Sequence, residues 1–137
     1  MRKMSLDLGD RRIGIALSDP MGIIASGYET YIRQSDEEAI QYVINLAKTK
    51  EVDTIVIGLP INMDGTHGER VEKSKAFGNR LNEVDPSIKI AYIDERLTTV
   101  SAERMLIDAN MRREKRKTVI DKVAATIILQ TYLDSKK

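Results

Sequence analysis

Asp7 is the first residue in the sequence whose type and position could do chemistry. Residues 4–8 alternate apolar and polar side chains, as a strand does, and Asp7 lies in this segment just before a turn at Gly9. Burial there would raise the pKa of the carboxyl, and a metal cation is one partner that would keep it ionised at neutral pH. Asp7 is therefore a candidate metal ligand, with an outward-facing strand residue as the alternative interpretation.

Asp121 is the second candidate. It shares a helical row with Ala125, Ile128 and Tyr132, so it lies on an apolar face that must pack against the rest of the fold. A carboxylate near the start of such a helix could complete a metal site with Asp7. The alternative is structural, because residues 118–121 also have the pattern of a capping box at a helix start.

A third acid comes from Asp94 and Glu95, which directly follow the apolar segment 88–93. Ligands of open α/β sheets gather beyond the carboxyl ends of the strands, so both carboxylates are candidates. Arg96 beside them could hold one carboxylate in place or contact a phosphate. The alternative is a solvated turn, and Asp64 is a weaker option because it precedes a glycine in an ordinary turn.

The composition restricts which metal these acids could bind. The chain has no cysteine and a single histidine, His67, which excludes thiolate sites and multi-histidine zinc centres. His67 itself lies between glycines and is interpreted as a loop residue. The remaining ligands are oxygens, and oxygen ligands favour Mg²⁺ or Mn²⁺.

The cationic residues indicate a nucleic-acid partner through their distribution rather than their number. The net charge is only +1, but one basic segment is dense in cations and three further arginines lie near the candidate acids. The segment contributes Arg112, Arg113, Lys115, Arg116 and Lys117, and the other three are Arg11, Arg12 and Arg96. The alternative is that the segment is a solvated surface loop.

Length and hydropathy indicate one globular domain over residues 1–137. The composition is 42% hydrophobic and 31% charged, far from that of a disordered or membrane protein. No apolar run is long enough to cross a bilayer, and the first residues lack a signal-like apolar region. We therefore expect no membrane association and a cytoplasmic location.

Hydrophobic periodicity predicts an α/β sheet flanked by helices. An opening meander is followed by alternating helices and strands, with Ser35 capping the first helix. The predicted strands are 4–8, 12–18, 23–32 with a bulge at Gly27, 54–58 and 88–93. The predicted helices are 35–50, 69–83, 98–108 and 118–133, with the basic segment as a loop.

Four blocks of the sequence, in order, resemble the YqgF/RuvX family. This family is described as Holliday-junction-resolvase-like and as nucleases that process pre-16S ribosomal RNA. The matching blocks are Leu6-Asp7-Leu8-Gly9 with Arg11-Arg12-Ile13-Gly14-Ile15-Ala16 and Ser18-Asp19; Val56-Ile57-Gly58-Leu59-Pro60 with Met63-Asp64-Gly65; Asp94-Glu95-Arg96-Leu97-Thr98-Thr99; and Lys115-Arg116-Lys117 with Asp121 and Ala124-Ala125.

The resemblance implies a ribonuclease H-like fold, with a mixed five-stranded sheet made of a three-stranded antiparallel meander plus parallel strands. It also implies that Asp7, Glu95 and Asp121 are the catalytic acids and metal ligands of a nuclease that hydrolyses phosphodiester bonds with Mg²⁺ or Mn²⁺. Related resolvases place the middle acid after the fourth strand, where this chain has Gly58. Glu95 would then reach in from the neighbouring strand, with Asp94 or Asp64 as substitutes.

The sequence leaves several functions open. A ribosomal RNA precursor is the substrate that the resemblance favours, and branched DNA is the alternative. A junction resolvase should act as a homodimer to make paired cuts, whereas an RNA-processing enzyme could be a monomer. A non-catalytic nucleic-acid-binding assembly factor is a further alternative. An actin-like ATPase or sugar kinase is disfavoured, because such proteins close two domains on a nucleotide and 137 residues supply only one.

Overall fold

The computed structural model describes residues 1–110 and 113–136, with the backbone alone for residues 110 and 113–118. Five strands and four helices follow in an order close to the predicted one. They are β1 (Arg2–Leu8), β2 (Arg12–Ser18), β3 (Ala25–Ile32), α1 (Asp36–Thr49), β4 (Val52–Leu59), α2 (Glu69–Val84), β5 (Lys89–Asp94), α3 (Val100–Asn110) and α4 (Arg113–Ser135), with a 3₁₀ turn (Glu95–Leu97) before α3.

The strands form one mixed sheet in the order β3-β2-β1-β4-β5, with β1 in the centre. The first three strands are an antiparallel meander, and β4 runs parallel to β1 and β5. The predicted mixed five-stranded sheet is confirmed. The expected bulge also occurs, because Ile15 pairs with Glu29 whereas Ala16 pairs with Gly27, so the ladder skips Tyr28.

The parallel arrangement brings the carboxyl ends of three strands to one edge of the sheet. Strands β1, β4 and β5 all end there, and the residues that follow them are therefore neighbours in space. Strand β4 is buried almost throughout, as its uninterrupted β-branched run predicts for a strand covered on both faces.

Helices cover both faces of this sheet. On one face, α1 and α2 bury Ile40, Ile44 and Leu81 against Leu6 and other apolar residues of the central strands. On the other face, α4 packs through the predicted row of Ala125, Ile128 and Tyr132, together with Ala124 and Leu129. The cap of α1 is confirmed, since the Ser35 side chain accepts a hydrogen bond from the Glu38 amide. No helix in the described ranges is both long and apolar enough for a membrane span.

The prediction of a loop for the basic segment is wrong from Arg113 onward. Helix α4 already includes residues 113–117, although Arg112 and the side chains of Arg113, Lys115, Arg116 and Lys117 lie outside the described part of the chain. Arginine, lysine and glutamate are good helix formers, and no glycine or proline interrupts them before Asp121. A high density of charge was therefore not sufficient evidence for a loop.

The capping-box interpretation of Asp121 is also wrong, since the helix begins well before it.

Candidate active site

Asp7 is a buried carboxylate at the carboxyl end of the central strand. It is the penultimate residue of β1 and is only 6% exposed. Its neighbour two residues earlier, Ser5, points to the α4 face and donates a hydrogen bond to the Ala125 carbonyl at 2.5 Å. Because side chains two apart in a strand lie on the same face, Asp7 also faces α4.

Gly14 brings α4 close to Asp7. It pairs with Asp7 across the β1–β2 ladder, and a Cβ added to it would overlap the main chain of Asp121. A glycine in a strand interior marks such a close approach of another backbone. The absent side chain thus lets α4 rest on the sheet beside Asp7, and it places Asp121 at the site. Arg12 Nε donates to Asp121 Oδ2 at 2.9 Å and holds its carboxylate.

The absence of a side chain at Gly58 likewise leaves room for the side chain of Glu95. Glu95 begins the 3₁₀ turn after β5 and is only 9% exposed. Its Oε2 lies 3.0 Å from where a Cβ of Gly58 would be, so its side chain crosses the end of β4 at the position where a larger residue would obstruct it. This geometry explains how an acid that follows the fifth strand reaches the centre of the sheet edge.

Arg104 of α3 joins the two buried carboxylates. Its Nη2 donates to Asp7 Oδ1 at 2.9 Å, and its Nη1 lies 3.5 Å from Glu95 Oε1. The Asp7 contact spans 97 residues of sequence, and no local pattern around Arg104 indicated it. Sequence reasoning therefore missed this residue. Gly14 and Gly58 did give a signal in the sequence, because a glycine within a predicted strand indicates that another group packs closely there.

Electrostatic interactions couple Asp7 to each of the other two acids. Burial raises the pKa of Asp7, Arg104 partly offsets this, and the negative charge of Asp121 raises it again. Burial also raises the pKa of Glu95, and the charge of Asp7 adds to the effect. The site therefore holds more negative charge than its surroundings stabilise, which is the condition that a bound cation relieves.

The alternative middle acids are occupied elsewhere. Asp94 accepts bonds from the Arg96 guanidinium, the nearest at 2.7 Å, and this pairing holds the pKa of Asp94 below its usual range. Asp64 is exposed and accepts from the amide and hydroxyl of Thr66 in its own turn. His67 is exposed, with Nδ1 3.3 Å from Lys75 Nζ. None of these contacts involves Asp7.

Three of the predicted nucleic-acid-binding arginines have described side chains: Arg11, Arg12 and Arg96. Arg12 binds Asp121 and is part of the acidic site, and Arg96 is exposed and bound to Asp94. Arg11 is exposed on the β1–β2 turn. Arg112 and the side chains of Arg113, Lys115, Arg116 and Lys117 are outside the described part of the chain.

The donor set fits a divalent cation, although the acids are not drawn together into a closed cluster. Among the described residues, no group of three or more histidine, cysteine, aspartate or glutamate side chains is arranged to hold a metal ion. Instead, guanidinium groups lie against the carboxylates, Arg104 on Asp7 and Glu95 and Arg12 on Asp121. Two buried acids converging on one cationic group provide the charge and the oxygen ligands that Mg²⁺ or Mn²⁺ requires.

Comparison with known proteins identifies close relatives in sequence. The RuvX family model, described as Holliday junction resolvase, matches residues 1–135. A protein of Halothermothrix orenii is 51% identical over 135 residues, covering 98% of this chain and 95% of the relative. A protein of Streptococcus equi subsp. zooepidemicus is 51% identical over 137 residues, covering 98% of both. Both relatives are named "Putative pre-16S rRNA nuclease".

Solved structures show the same fold at low sequence identity. T. thermophilus RuvC, in complex with a Holliday junction substrate, superposes with a TM-score of 0.60 at 7% identity, covering 99% of this chain and 96% of that one. The Fowlpox virus resolvase bound to Holliday junction DNA gives 0.55 at 10% identity, covering 99% of both chains. These likenesses confirm the expected ribonuclease H-like fold.

Proposed function

The chain belongs to the RuvX family, and from that premise we propose that it is a metal-dependent nuclease that hydrolyses phosphodiester bonds at the Asp7 site. The observation that carries the proposal is the convergence of Asp7 and Glu95, both buried, on the guanidinium of Arg104. Asp121 lies close enough to raise the pKa of Asp7. Perturbed acids grouped at a sheet edge are a common mark of catalytic sites.

Asp7, Glu95 and Asp121 would hold Mg²⁺ or Mn²⁺, with Asp7 as the central ligand. When bound, such ions activate water for attack on phosphorus and stabilise the leaving oxygen. The protein's own residues keep the carboxylates in place. Arg12 orients Asp121, and Arg104 holds Asp7 and Glu95 together while offsetting part of their charge.

The substrate strand would cross this edge of the sheet and be held by the surrounding cations. Arg11 is exposed beside β1, and Arg96 is exposed beside the 3₁₀ turn. The cations of residues 112–117, which precede Asp121 in the chain, are proposed to bind phosphates of the same strand. Cations at these positions would bind phosphates and position the strand without reading its sequence.

We favour precursor ribosomal RNA as the substrate, because the relatives from H. orenii and S. equi are named for that activity. A nuclease with this substrate would act in the cytoplasm, where bacterial ribosomes are made. Branched DNA is the alternative, and RuvC and the Fowlpox virus resolvase were solved with Holliday junctions. The two substrates differ in what they require of the enzyme, since paired cuts on a symmetric junction call for a homodimer.

The experiment compares wild type with Asp7→Asn, Glu95→Gln and Asp94→Asn. Each protein is incubated with labelled pre-16S ribosomal RNA and with a four-way DNA junction, in Mg²⁺, in Mn²⁺ and in chelator. Light scattering on the same samples gives the oligomeric state. Asp94→Asn is the matched control because Asp94 adjoins Glu95 but bonds to Arg96 instead of Arg104.

We expect metal-dependent cleavage by wild type and Asp94→Asn, and its loss in Asp7→Asn and Glu95→Gln. The loss should exceed the tenfold to hundredfold decrease that follows removal of an outer partner of a metal ligand. Equal activity in all four proteins would refute the site. Binding without cleavage on every substrate and metal would favour a non-catalytic assembly factor.

A further inference from the structure

A cavity lies beside the acidic site, on the opposite face of the sheet from α4. Its volume is about 440 Å³, within the range of sites that hold small ligands. The first turns of α1 and residues 70–80 of α2 line it, together with Leu8 and Gly9 at the end of β1. Leu8 directly follows Asp7 at the same end of β1, but its side chain points to the opposite face of the sheet. A ligand in this cavity would therefore lie across the sheet edge from the acidic site.

The floor of the cavity suits a flat, partly apolar group. Leu8, Ile40 and Phe77 line it, and the last two are almost fully buried. The Arg33 guanidinium lies 5.4 Å from the centre of the Phe77 ring and is held in place by Asp36 and the Gly9 carbonyl. Guanidinium planes are surfaces on which unpaired bases stack.

The rim of the cavity carries a cation that has no ion-pair partner in the described part of the chain. The acid Asp36 is paired with Arg33, and Glu37 is paired with Arg80, which also binds Glu83. Arg70 is exposed, and no carboxylate lies within ion-pair distance of its side chain among the described residues.

Two other charged groups complete the rim. Lys73, one turn beyond Arg70, makes only an exposed pair with Glu69 on the helix surface, which costs little to release. Asp10, on the β1–β2 turn, also lines the cavity, so an anion would be bound by the cations of α2 instead.

Arg70 also connects the cavity with the acidic site. Its positive charge lowers the pKa of both Asp7 and Glu95, so it lies within electrostatic reach of the two buried carboxylates. A phosphate bound by Arg70 would therefore lie near the edge where cleavage is proposed to occur.

We propose that this cavity is a nucleotide subsite, which takes one unpaired nucleotide of the cut strand next to the scissile phosphate. The base would lie over Leu8 and the Arg33 guanidinium, and its phosphate would be bound by Arg70 and Lys73. The proposal rests on the proposed nuclease function, and it specifies the substrate class as a strand with an unpaired nucleotide at the cleavage site.

The test measures binding of uridine and adenosine 5′-monophosphates, with inorganic phosphate for comparison, to the full-length protein in chelator by NMR titration. Arg70→Gln removes the charge, and Ala76→Trp fills the opening from an exposed helix position that lines the cavity. Lys75→Gln is the matched control, a cation of the same helix that contacts His67 instead.

We expect saturable binding of both mononucleotides, tighter than that of phosphate, and unchanged binding in Lys75→Gln. Arg70→Gln should weaken binding about tenfold, because a charge-assisted hydrogen bond is lost, and Ala76→Trp should abolish it. Absence of saturable binding, equal affinity for phosphate alone, or wild-type affinity in Arg70→Gln would overturn the proposal. Arg70→Gln is informative even if Ala76→Trp fails to fold.

Because chelator removes catalysis from the measurement, the two proposals can fail separately. A wild-type protein that binds mononucleotides yet cuts no substrate would refute the nuclease proposal and leave the cavity as a nucleotide-binding site that is not part of a cleavage site. A protein that cuts its substrate but shows none of the expected mononucleotide binding would retain the nuclease and refute the subsite. In an active protein, Arg70→Gln should raise KM for a substrate with unpaired nucleotides more than it lowers kcat.

Discussion

Arg104→Gln should destabilise the protein in chelator, because Arg104 is the shared partner of two buried acids. Its guanidinium lies 2.9 Å from Asp7 and 3.5 Å from Glu95, whose side chains are only 7% and 9% exposed. Removing one partner of a fully buried pair costs about 3–5 kcal/mol. Since the Arg104 side chain is 28% exposed, water screens part of the interaction, and we expect a loss of about 2 kcal/mol at pH 7.

Urea unfolding in chelator measures this loss, with Arg11→Gln as the control for replacing an exposed arginine. The deficit should shrink as the pH falls. Burial raises the folded-state pKa of Asp7 and Glu95 above the usual 3.8 and 4.5, so both acids are protonated more readily in the folded protein and then need no cation.

A double-mutant cycle tests the cause directly. In an Asp7→Asn background the same Arg104→Gln change should cost less, with a coupling free energy of about 1 kcal/mol or more. If Arg104→Gln costs no more than Arg11→Gln, or costs the same with and without the Asp7 charge, the proposed role of Arg104 is wrong.

Four further outcomes follow from the same geometry. Asp7→Asn should stabilise the protein against urea in chelator at pH 7, because the raised pKa means that ionised Asp7 disfavours folding; the gain should shrink as the pH falls towards 3.8. Gly14→Ala should cost about 3 kcal/mol in urea unfolding and abolish cleavage, since the added Cβ would overlap the Asp121 main chain and move α4 off the sheet. Gly58→Ala should cost about 1–2 kcal/mol and reduce cleavage, because its Cβ would lie 2.5 Å from Ile128 Cδ1 of α4 and 3.0 Å from Glu95 Oε2; unchanged cleavage would show that Glu95 need not cross Gly58. In filter binding to duplex nucleic acid, log affinity should fall with log salt with a slope of about five if six phosphates are contacted, and a slope near zero would contradict the cationic surface.

Most secondary structure was predictable because it follows from local chemistry. The alternation in β1, the β-branched run in β4 and the Ser35 cap of α1 each depend on residues within one element. The error at the basic segment has the same origin, since local charge was interpreted as solvation although the residues are good helix formers.

The sequence by itself determined which residue types could act: carboxylates without cysteine, one histidine, and glycines inside strands. It also indicated Asp7, Glu95 and Asp121, through their positions beside predicted elements and the family resemblance. How they meet was decided only by the tertiary structure, because the contacts join distant parts of the chain. Arg104 bonds to an aspartate 97 residues away, and Arg12 to one 109 residues away. No local periodicity encodes such pairs, since they depend on how closely α3 and α4 pack on the sheet.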